Sequence, residues 1–293
     1  MPHARKSLTA PDVRARARKL VMVTAYDAPT ARVADAAGVD VILVGDSVAM
    51  VVLGYEDTLR VTINDMAHHV AAVARGLAME RTATVDTPQP LVVGDLPWMS
   101  YHVSREETVR NAAALVTAGA AAVKLEGGAK RLPAVAAILD AEIPVMGHLG
   151  LTPQSVNAIG GYKVQAKEAD AARRLVDDAV ALADAGCFSI VLECVPDEVA
   201  RIVTEAVDVP TIGIGAGPHC DGQVLVFHDL TGFEDRMQPK FVRRYADLKG
   251  DAVAAVAAFA DDVREGRFPS LEESYSTGRE LGETLGLYGT QTA

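Results

Sequence analysis

Short runs of branched aliphatic residues alternate along the chain with longer segments of helical period. The runs predict strands at 20–25, 41–45, 91–95, 121–126, 143–148, 189–193, 211–215 and 224–228. The segments between them carry apolar residues at helical spacing and predict helices near 29–38, 62–76, 104–118, 130–140, 168–185 and 196–206. Alternation of this kind indicates repeated β–α units.

The predicted strands are apolar along their whole length rather than on every second residue. Such strands are buried on both faces, which is typical of a parallel sheet covered by helices. About eight β–α units favour a closed (β/α)8 TIM barrel over an open doubly wound sheet. We therefore predict an α/β protein with one barrel domain over 1–293 and a core at about 8–272.

Three segments fall outside this repeat. A helix-like pattern over 10–19 precedes the first strand and is predicted to cap the barrel floor. Residues 79–90 are polar and are predicted to form an excursion from the barrel. The tail 275–293 has weak periodicity and is predicted to be partly disordered.

The net charge and the cysteine content indicate which classes of binding partner to expect. The formal net charge is −11, and an acidic surface repels phosphate backbones and anionic lipids. The longest uncharged helix-like run, 111–123, is shorter than the ~20 residues of a membrane-spanning helix. The three cysteines form no CxxC pair, which is typical of reduced thiols in a cytoplasmic protein. We expect small-molecule substrates, and neither nucleic acid nor a membrane as a partner.

Charged residues follow strand after strand, at the point where each predicted strand ends. They are Asp46, Asp95, Lys124, Glu126, His148 and Glu193. In a (β/α)8 barrel these ends converge at one mouth, where active sites are built. Three of the carboxylates, Asp46, Asp95 and Glu126, form an oxygen-rich set that suits Mg²⁺.

Structural roles compete with this interpretation at each position. A single Asp after a strand is more often a helix N-cap than a ligand. Lys124 is harder to explain in that way, because a buried ammonium needs an anion, and Glu126 lies on the same strand face two residues on. His148 alone is more often a core histidine, and His68 and His69 on an amphipathic helix are interpreted as packing residues.

Several longer motifs carry a resemblance to a known family. The segments VTAYD (23–27), VGDS (44–47), DLPWMSY (95–101), VKLEGG (123–128), GHLGLTPQSVN (147–157), GGYKVQ (160–165), LECVP (192–196), IGIGAG (212–217) and DGQVLVFHD (221–229) closely resemble the ketopantoate hydroxymethyltransferase family. The likeness runs in order from about residue 8 to 272. It implies a barrel of the phosphoenolpyruvate/pyruvate-binding type, assembled as a homodecamer.

The resemblance also implies a reaction and its residues. The family transfers a hydroxymethyl unit from 5,10-methylenetetrahydrofolate to 3-methyl-2-oxobutanoate, giving ketopantoate through a Mg²⁺-stabilised enolate in pantothenate and coenzyme A biosynthesis. Carried over, the metal-binding carboxylates fall on Asp46, Asp95 and Glu126, the substrate-binding positions on Asp46, Ser47, Asp95 and Lys124, and the proton acceptor on Glu193. The excursion 79–90 is longer than the family usually has between VGDS and DLPW.

The chemistry of the residues agrees with this reaction. Removing the C3 proton of a 2-oxo acid requires stabilisation of the developing enolate, which a Lewis-acidic metal supplies. Lys124 adds a positive charge, and Glu193 is the predicted general base, with His148 as the alternative. Two other functions stay open at this point: another Mg²⁺-dependent 2-oxo-acid lyase or mutase on the same barrel, and a catalytically silent scaffold.

Overall fold

The computed structural model describes residues 5–79, 87–236, 239–275 and 286. The chain divides into two units, residues 1–245 and residues 246–293. The first unit contains the barrel, and the second contains one long helix. The organisation of the whole chain as one domain stays a prediction.

Eight parallel strands close into a barrel in the first unit, in the order in which they occur along the chain. They are β1 (Leu20–Thr24), β2 (Val41–Val44), β3 (Leu91–Asp95), β4 (Ala122–Glu126), β5 (Val145–Gly150), β6 (Ser189–Glu193), β7 (Thr211–Ile214) and β8 (Gly222–Leu225). The register places Asp95 beside Lys124 and Glu126 beside His148. The predicted (β/α)8 barrel is therefore confirmed.

Helices follow most of the strands. In the first unit they are α1 (Ala10–Arg14), α2 (Ala28–Ala36), α3 (Val48–Val51), α4 (Ile63–Ala78), α5 (Arg105–Ala118), α6 (Leu132–Asp140), α7 (Val156–Ile159), α8 (Ala169–Asp184), α9 (Asp197–Ala206) and α10 (Phe227–Leu230). Four of them, α1, α2, α4 and α5, begin with a side-chain cap. Asp27 accepts from the Thr30 N–H at the start of α2, and Thr62 forms a capping box with Asp65 at the start of α4.

Two apolar clusters hold the barrel together. The larger lies between the strands and the surrounding helices, and includes Val44, Val70 and Leu115. The smaller fills the barrel interior and includes Met22, Val93 and Met146. Ala10 and Val13 of α1 belong to the interior cluster, so α1 closes the barrel floor as predicted, although it is shorter than the predicted segment 10–19.

The boundaries of some predicted elements differ from the structure. The six helices predicted between the strands are all present within a few residues. Strand β5 is shifted two residues later than predicted, and β8 begins and ends earlier. Residues 80–86 of the predicted excursion lie outside the described residues. So does the predicted tail 275–293, apart from Tyr275 and Gly286.

The second unit contains α11 (Leu248–Arg264), which the sequence pattern did not predict. Asp247 caps its start by accepting from the Gly250 N–H. No residue of α11 is buried, although it carries Val256, Phe259 and Val263. In the described part of the chain, no helix combines the length and the apolar character needed to cross a lipid bilayer.

Candidate active site

A cavity of about 690 Å³ opens at the carboxyl end of the barrel strands. All seven site residues predicted from the sequence line it: Asp46, Ser47, Asp95, Lys124, Glu126, His148 and Glu193. The structure thus brings together residues that lie as far apart as 147 positions along the chain. Convergence at this end is expected, because parallel strands in a barrel point the same way.

The cavity has a charged side and an apolar side. At the strand ends the charged residues come from β2 to β6, whereas β7 and β8 contribute Ile214 and Val224, followed by Val226. Beyond β8 the lining is again charged, with Asp229, Glu234, Arg236 and Lys240. Leu43 and Val191 extend the apolar lining toward the barrel interior. A ligand with a polar head and a small branched alkyl group matches this division.

Lys124 forms a buried ion pair with Asp95. Its Nζ lies 2.8 Å from Oδ2 of Asp95, and both side chains are almost fully buried. Burial opposes the charged lysine, but Asp95 and Glu126 outweigh it and raise the pKa of Lys124 above its ordinary value. Lys124 therefore stays protonated, and its ion-pair partner is Asp95 on the neighbouring strand rather than the predicted Glu126.

His148 lies among three charged groups. Its Nδ1 is 3.2 Å from Lys124 Nζ and 3.4 Å from Glu126 Oε1, and its Nε2 is 3.2 Å from Glu193 Oε2. Burial and Lys124 disfavour the imidazolium, but Glu126 and Glu193 outweigh them and raise the pKa of His148 to about 9. Both nitrogens of the imidazolium donate, so its partners are Glu126 and Glu193, while Lys124 is a like-charged neighbour. Contact with two carboxylates is a more specific role than core packing.

Gln154 and Tyr101 are functional candidates to which the sequence analysis assigned no role. Gln154 follows β5 in a 3₁₀ turn, and its side chain contacts Asp46 at 2.9 Å. Its backbone N–H donates to Glu126 at 3.0 Å, and Tyr101 donates to its amide oxygen at 2.7 Å. The available sequence signal was their place inside GHLGLTPQSVN and DLPWMSY.

Ser47 is held by a buried tyrosine. The Tyr26 hydroxyl lies 2.8 Å from Ser47 Oγ, and burial raises the pKa of Tyr26 above its ordinary value, so it stays neutral. Ser47 occupies the N-cap position of α3 without making a side-chain capping bond. The Ser47 hydroxyl therefore does not cap the helix, and Ser47 lines the cavity.

The backbone is unusual where β5 and β6 end. Gly150 has φ +90°, and a Cβ there would lie 2.2 Å from the carbonyl oxygen of Glu193. Cys194, directly after Glu193, has φ 48°, in the left-handed region that non-glycine residues rarely adopt. Strained conformations of this kind cluster at functional sites, and here they lie beside Glu193 in the chain and at its carbonyl oxygen.

The charge balance of the site fits a bound cation. Among the described residues at the ends of β2 to β6, four carboxylates, on Asp46, Asp95, Glu126 and Glu193, lie beside two cationic groups, on Lys124 and His148. Burial, Asp95 and Glu126 together raise the pKa of Asp46 well above its ordinary value, which a nearby cation would reverse.

Two buried oxygens in this cluster are also left without hydrogen bonds. They are Oδ1 of Asp95 and Oε1 of Glu126. Within the described ranges, no three or more His, Cys, Asp or Glu side chains are already gathered around one point as a complete metal cage. Mg²⁺ commonly binds through one or two carboxylates while substrate and water complete its shell, so the donor set fits Mg²⁺ without such a cage.

Sequence comparison identifies close relatives. A family model described as ketopantoate hydroxymethyltransferase matches residues 7–271. A 3-methyl-2-oxobutanoate hydroxymethyltransferase of Methylobacterium sp. (strain 4-46) is 57% identical over 263 residues, covering 90% of this chain and 88% of the relative. Another of that name, from Oleidesulfovibrio alaskensis, is 53% identical over 273 residues, covering 92% and 91%.

Solved structures share the fold at low sequence identity. A 2,3-dimethylmalate lyase of the PEP mutase/isocitrate lyase superfamily has a TM-score of 0.55 and 18% identity, covering 96% of this chain and 99% of its own. A phosphonopyruvate hydrolase in complex with oxalate and Mg²⁺ has a TM-score of 0.56 and 15% identity, covering 95% of each chain. These similarities agree with the predicted (β/α)8 barrel fold.

Proposed function

Because the chain belongs to the ketopantoate hydroxymethyltransferase family, we propose that its barrel mouth is the site where 3-methyl-2-oxobutanoate receives a hydroxymethyl group. The chain is a transferase, and ketopantoate is its product. The observation that carries the site assignment is the division of one cavity into a charged side and an apolar side. A lyase, a mutase or a silent scaffold is not favoured by relatives at 57% and 53% identity.

The divided cavity orients the substrate. The carboxylate and keto oxygen of the 2-oxo acid face Lys124 and Ser47, which offer a positive charge and a hydroxyl. Asp46 and Asp95 complete the polar side of this subsite. The isopropyl group of the substrate faces the apolar lining from β7 and β8, which carries Ile214 among others.

Glu193 is the proposed general base. Its side chain is 17% exposed and borders the cavity, whereas His148 is enclosed between Lys124 and two glutamates. Glu193 accepts the C3 proton of the substrate, and His148 holds the carboxylate from behind through its Nε2. Negative charge then develops on the keto oxygen, where the buried ammonium of Lys124 stabilises it.

Asp46, Asp95 and Glu126 are the residues proposed to hold Mg²⁺. When bound, Mg²⁺ acts as a Lewis acid that lowers the energy of the developing enolate. The three side chains are buried, which strengthens their electrostatic interaction with a cation. Burial raises the pKa of Asp95, and Lys124 opposes that rise through the ion pair described above, which favours the carboxylate form that binds a metal.

We further propose 5,10-methylenetetrahydrofolate as the one-carbon donor. The outer part of the cavity carries Met50, Tyr55, Tyr162, Lys163 and Arg236, a combination of flat apolar and cationic surfaces that suits a pteridine ring and an acidic tail. A bond forms between C3 of the substrate and the methylene carbon, and the two C–N bonds that hold this carbon to the folate break. Water supplies the hydroxyl group. The proton removed from C3 and the second proton of water end on the two folate nitrogens, and tetrahydrofolate leaves.

This reaction is placed in pantothenate and coenzyme A biosynthesis. We propose a cytoplasmic location, because Cys187, Cys194 and Cys220 are all free thiols. The whole chain is proposed to act as one barrel domain on small-molecule substrates.

Exchange of the C3 proton tests the proposed site directly. The protein is incubated with 3-methyl-2-oxobutanoate in D₂O, and loss of the C3–H signal is followed by NMR. We expect exchange with Mg²⁺ and its loss with EDTA, and we expect ketopantoate after methylenetetrahydrofolate is added. Folded, Mg²⁺-supplied protein that exchanges nothing, even with a folate analogue bound, would contradict the assignment.

A homodecamer is the proposed assembly, and α11 supports self-association. Val256, Phe259 and Val263 follow i, i+3, i+7 spacing, so they share one face of this helix, and each is at least 47% exposed. An apolar face of this kind is typical of a protein interface.

We expect Phe259→Asp to give smaller particles in analytical ultracentrifugation, while Ala254→Asp on the opposite face does not. Equal sedimentation of both variants and the wild type would contradict a role for α11.

A further inference from the structure

Gln154 has a fully hydrogen-bonded side-chain amide at the barrel mouth. Its Nε2 donates to Oδ2 of Asp46 and to the carbonyl oxygen of Leu96, both at 2.9 Å. Its Oε1 accepts from the Tyr101 hydroxyl at 2.7 Å, and its backbone N–H donates to Oε2 of Glu126 at 3.0 Å. One buried residue thus contacts the ends of three successive strands.

The orientation of this amide is determined by its partners. A carbonyl oxygen can only accept, so the NH₂ group must face Leu96, and the amide oxygen must face Tyr101. The Tyr101 hydroxyl, itself buried, also accepts from the backbone N–H of Glu126 at 3.3 Å. The hydrogen bonds therefore form a closed network in which the amide cannot flip without losing partners.

Asp46 and Glu126 need such a partner because they repel each other. Both carboxylates are buried and line the same cavity at the ends of β2 and β4, and like charges in a buried space repel each other. Gln154 binds one oxygen of each and leaves Oε1 of Glu126 without a hydrogen bond. A neutral amide does this without cancelling the negative charge that attracts a cation.

We propose that Gln154 is a positioning residue: it holds Asp46 and Glu126 in the arrangement that binds the divalent cation, and Tyr101 holds its amide in place. This inference rests on the proposed function, in which both carboxylates serve the metal. Removing an outer partner of a metal ligand typically weakens metal binding by ~10–100-fold. We expect a loss of that size when the amide of Gln154 is replaced.

The test measures Mg²⁺ affinity apart from activity. Gln154→Met keeps the length of the side chain and removes the hydrogen bonds of its amide to Asp46, Leu96 and Tyr101, while the backbone N–H to Glu126 remains. The Kd for Mg²⁺ is measured by isothermal titration calorimetry on the full chain. We expect a Kd raised ~10–100-fold, with C3–H exchange recovered by excess Mg²⁺. Tyr101→Phe should give a smaller change in the same direction. Gln223→Met is the matched control, since Gln223 is exposed on β8 and its amide donates to Gly217.

The outcomes separate a positioning role from a structural one. A wild-type Kd in folded Gln154→Met, or a lowered melting temperature with no change in Kd, would overturn the inference. If that variant does not fold, an unchanged Kd in Tyr101→Phe would overturn it. Wild-type protein that binds no Mg²⁺ would overturn the proposed function itself, and the inference with it.

Discussion

Replacing Glu193 with Gln is expected to reduce C3–H exchange of 3-methyl-2-oxobutanoate by ~10²–10⁴-fold, the usual contribution of a general base. The amide has the shape of the carboxylate but cannot accept the proton. Substrate binding should change little, because Lys124 and Ser47, which face the substrate oxygens, are untouched. The measurement is the exchange rate at saturating substrate by NMR, together with KM in the full reaction.

Two further variants make this result specific. Glu168→Gln is the matched control, since Glu168 is exposed and makes no side-chain capping bond. His148→Gln tests the alternative base, and we expect it to retain more exchange than Glu193→Gln because His148 acts through Glu193. Near wild-type exchange in Glu193→Gln, combined with its loss in His148→Gln, would assign the base to His148 instead.

Replacing Lys124 with Met is expected to lower both activity and stability. Breaking a buried ion pair by removing one partner costs about 3–5 kcal/mol of unfolding free energy, because the other charge is left buried and unpaired. Here the unpaired group is Asp95, with Asp46 and Glu126 beside it. C3–H exchange should also fall, since the ammonium that faces the developing enolate is lost.

The stability loss should depend on pH in a defined direction. A buried carboxyl whose pKa is raised in the folded state binds more protons folded than unfolded, so stability falls as pH rises through that pKa. Burial, Asp95 and Glu126 already raise the pKa of Asp46, and Lys124 opposes them. Without Lys124 the rise is larger, so the variant should be most destabilised at high pH.

Chemical denaturation at pH 8 and pH 5.5, in EDTA and at one protein concentration, measures this difference. Concentration is held constant because the midpoint of an oligomer depends on it. Lys130→Met is the matched control, since Lys130 is exposed. A Lys124→Met protein as stable as wild type at pH 8, or equally destabilised at both pH values, would show that Lys124 does not offset the carboxylate cluster.

The order and approximate bounds of the strands and helices were predictable, because the residue patterns that indicate them are local in the sequence. Continuous apolar runs identify strands buried on both faces, and apolar residues at helical spacing identify the helices between them. The six helices predicted between strands were present, and α11 was the main omission. That helix is rich in alanine, none of its residues is buried, and it does not directly follow a predicted strand, so it lies outside the β–α repeat from which the other helices were predicted.

The charged residues of the mouth were predictable for the same reason. A polar residue after an apolar strand lies at the strand end, and in a parallel barrel all such ends meet. Asp27, which follows β1, caps α2, whereas Asp46, which follows β2, bonds to Gln154, and α3 begins without a side-chain cap. Sequence position alone could not separate these two cases.

By itself, the sequence determined the barrel, the capping helix at its floor and the set of charged residues at its mouth, because each depends on residues that are near one another in the chain. Only the tertiary structure decided which of those residues interact. Strand register placed Asp95 beside Lys124, and closure of the barrel brought Gln154 to Asp46 across 108 positions of sequence. Such contacts depend on how distant segments pack together, and no local pattern of apolar and polar residues encodes that packing.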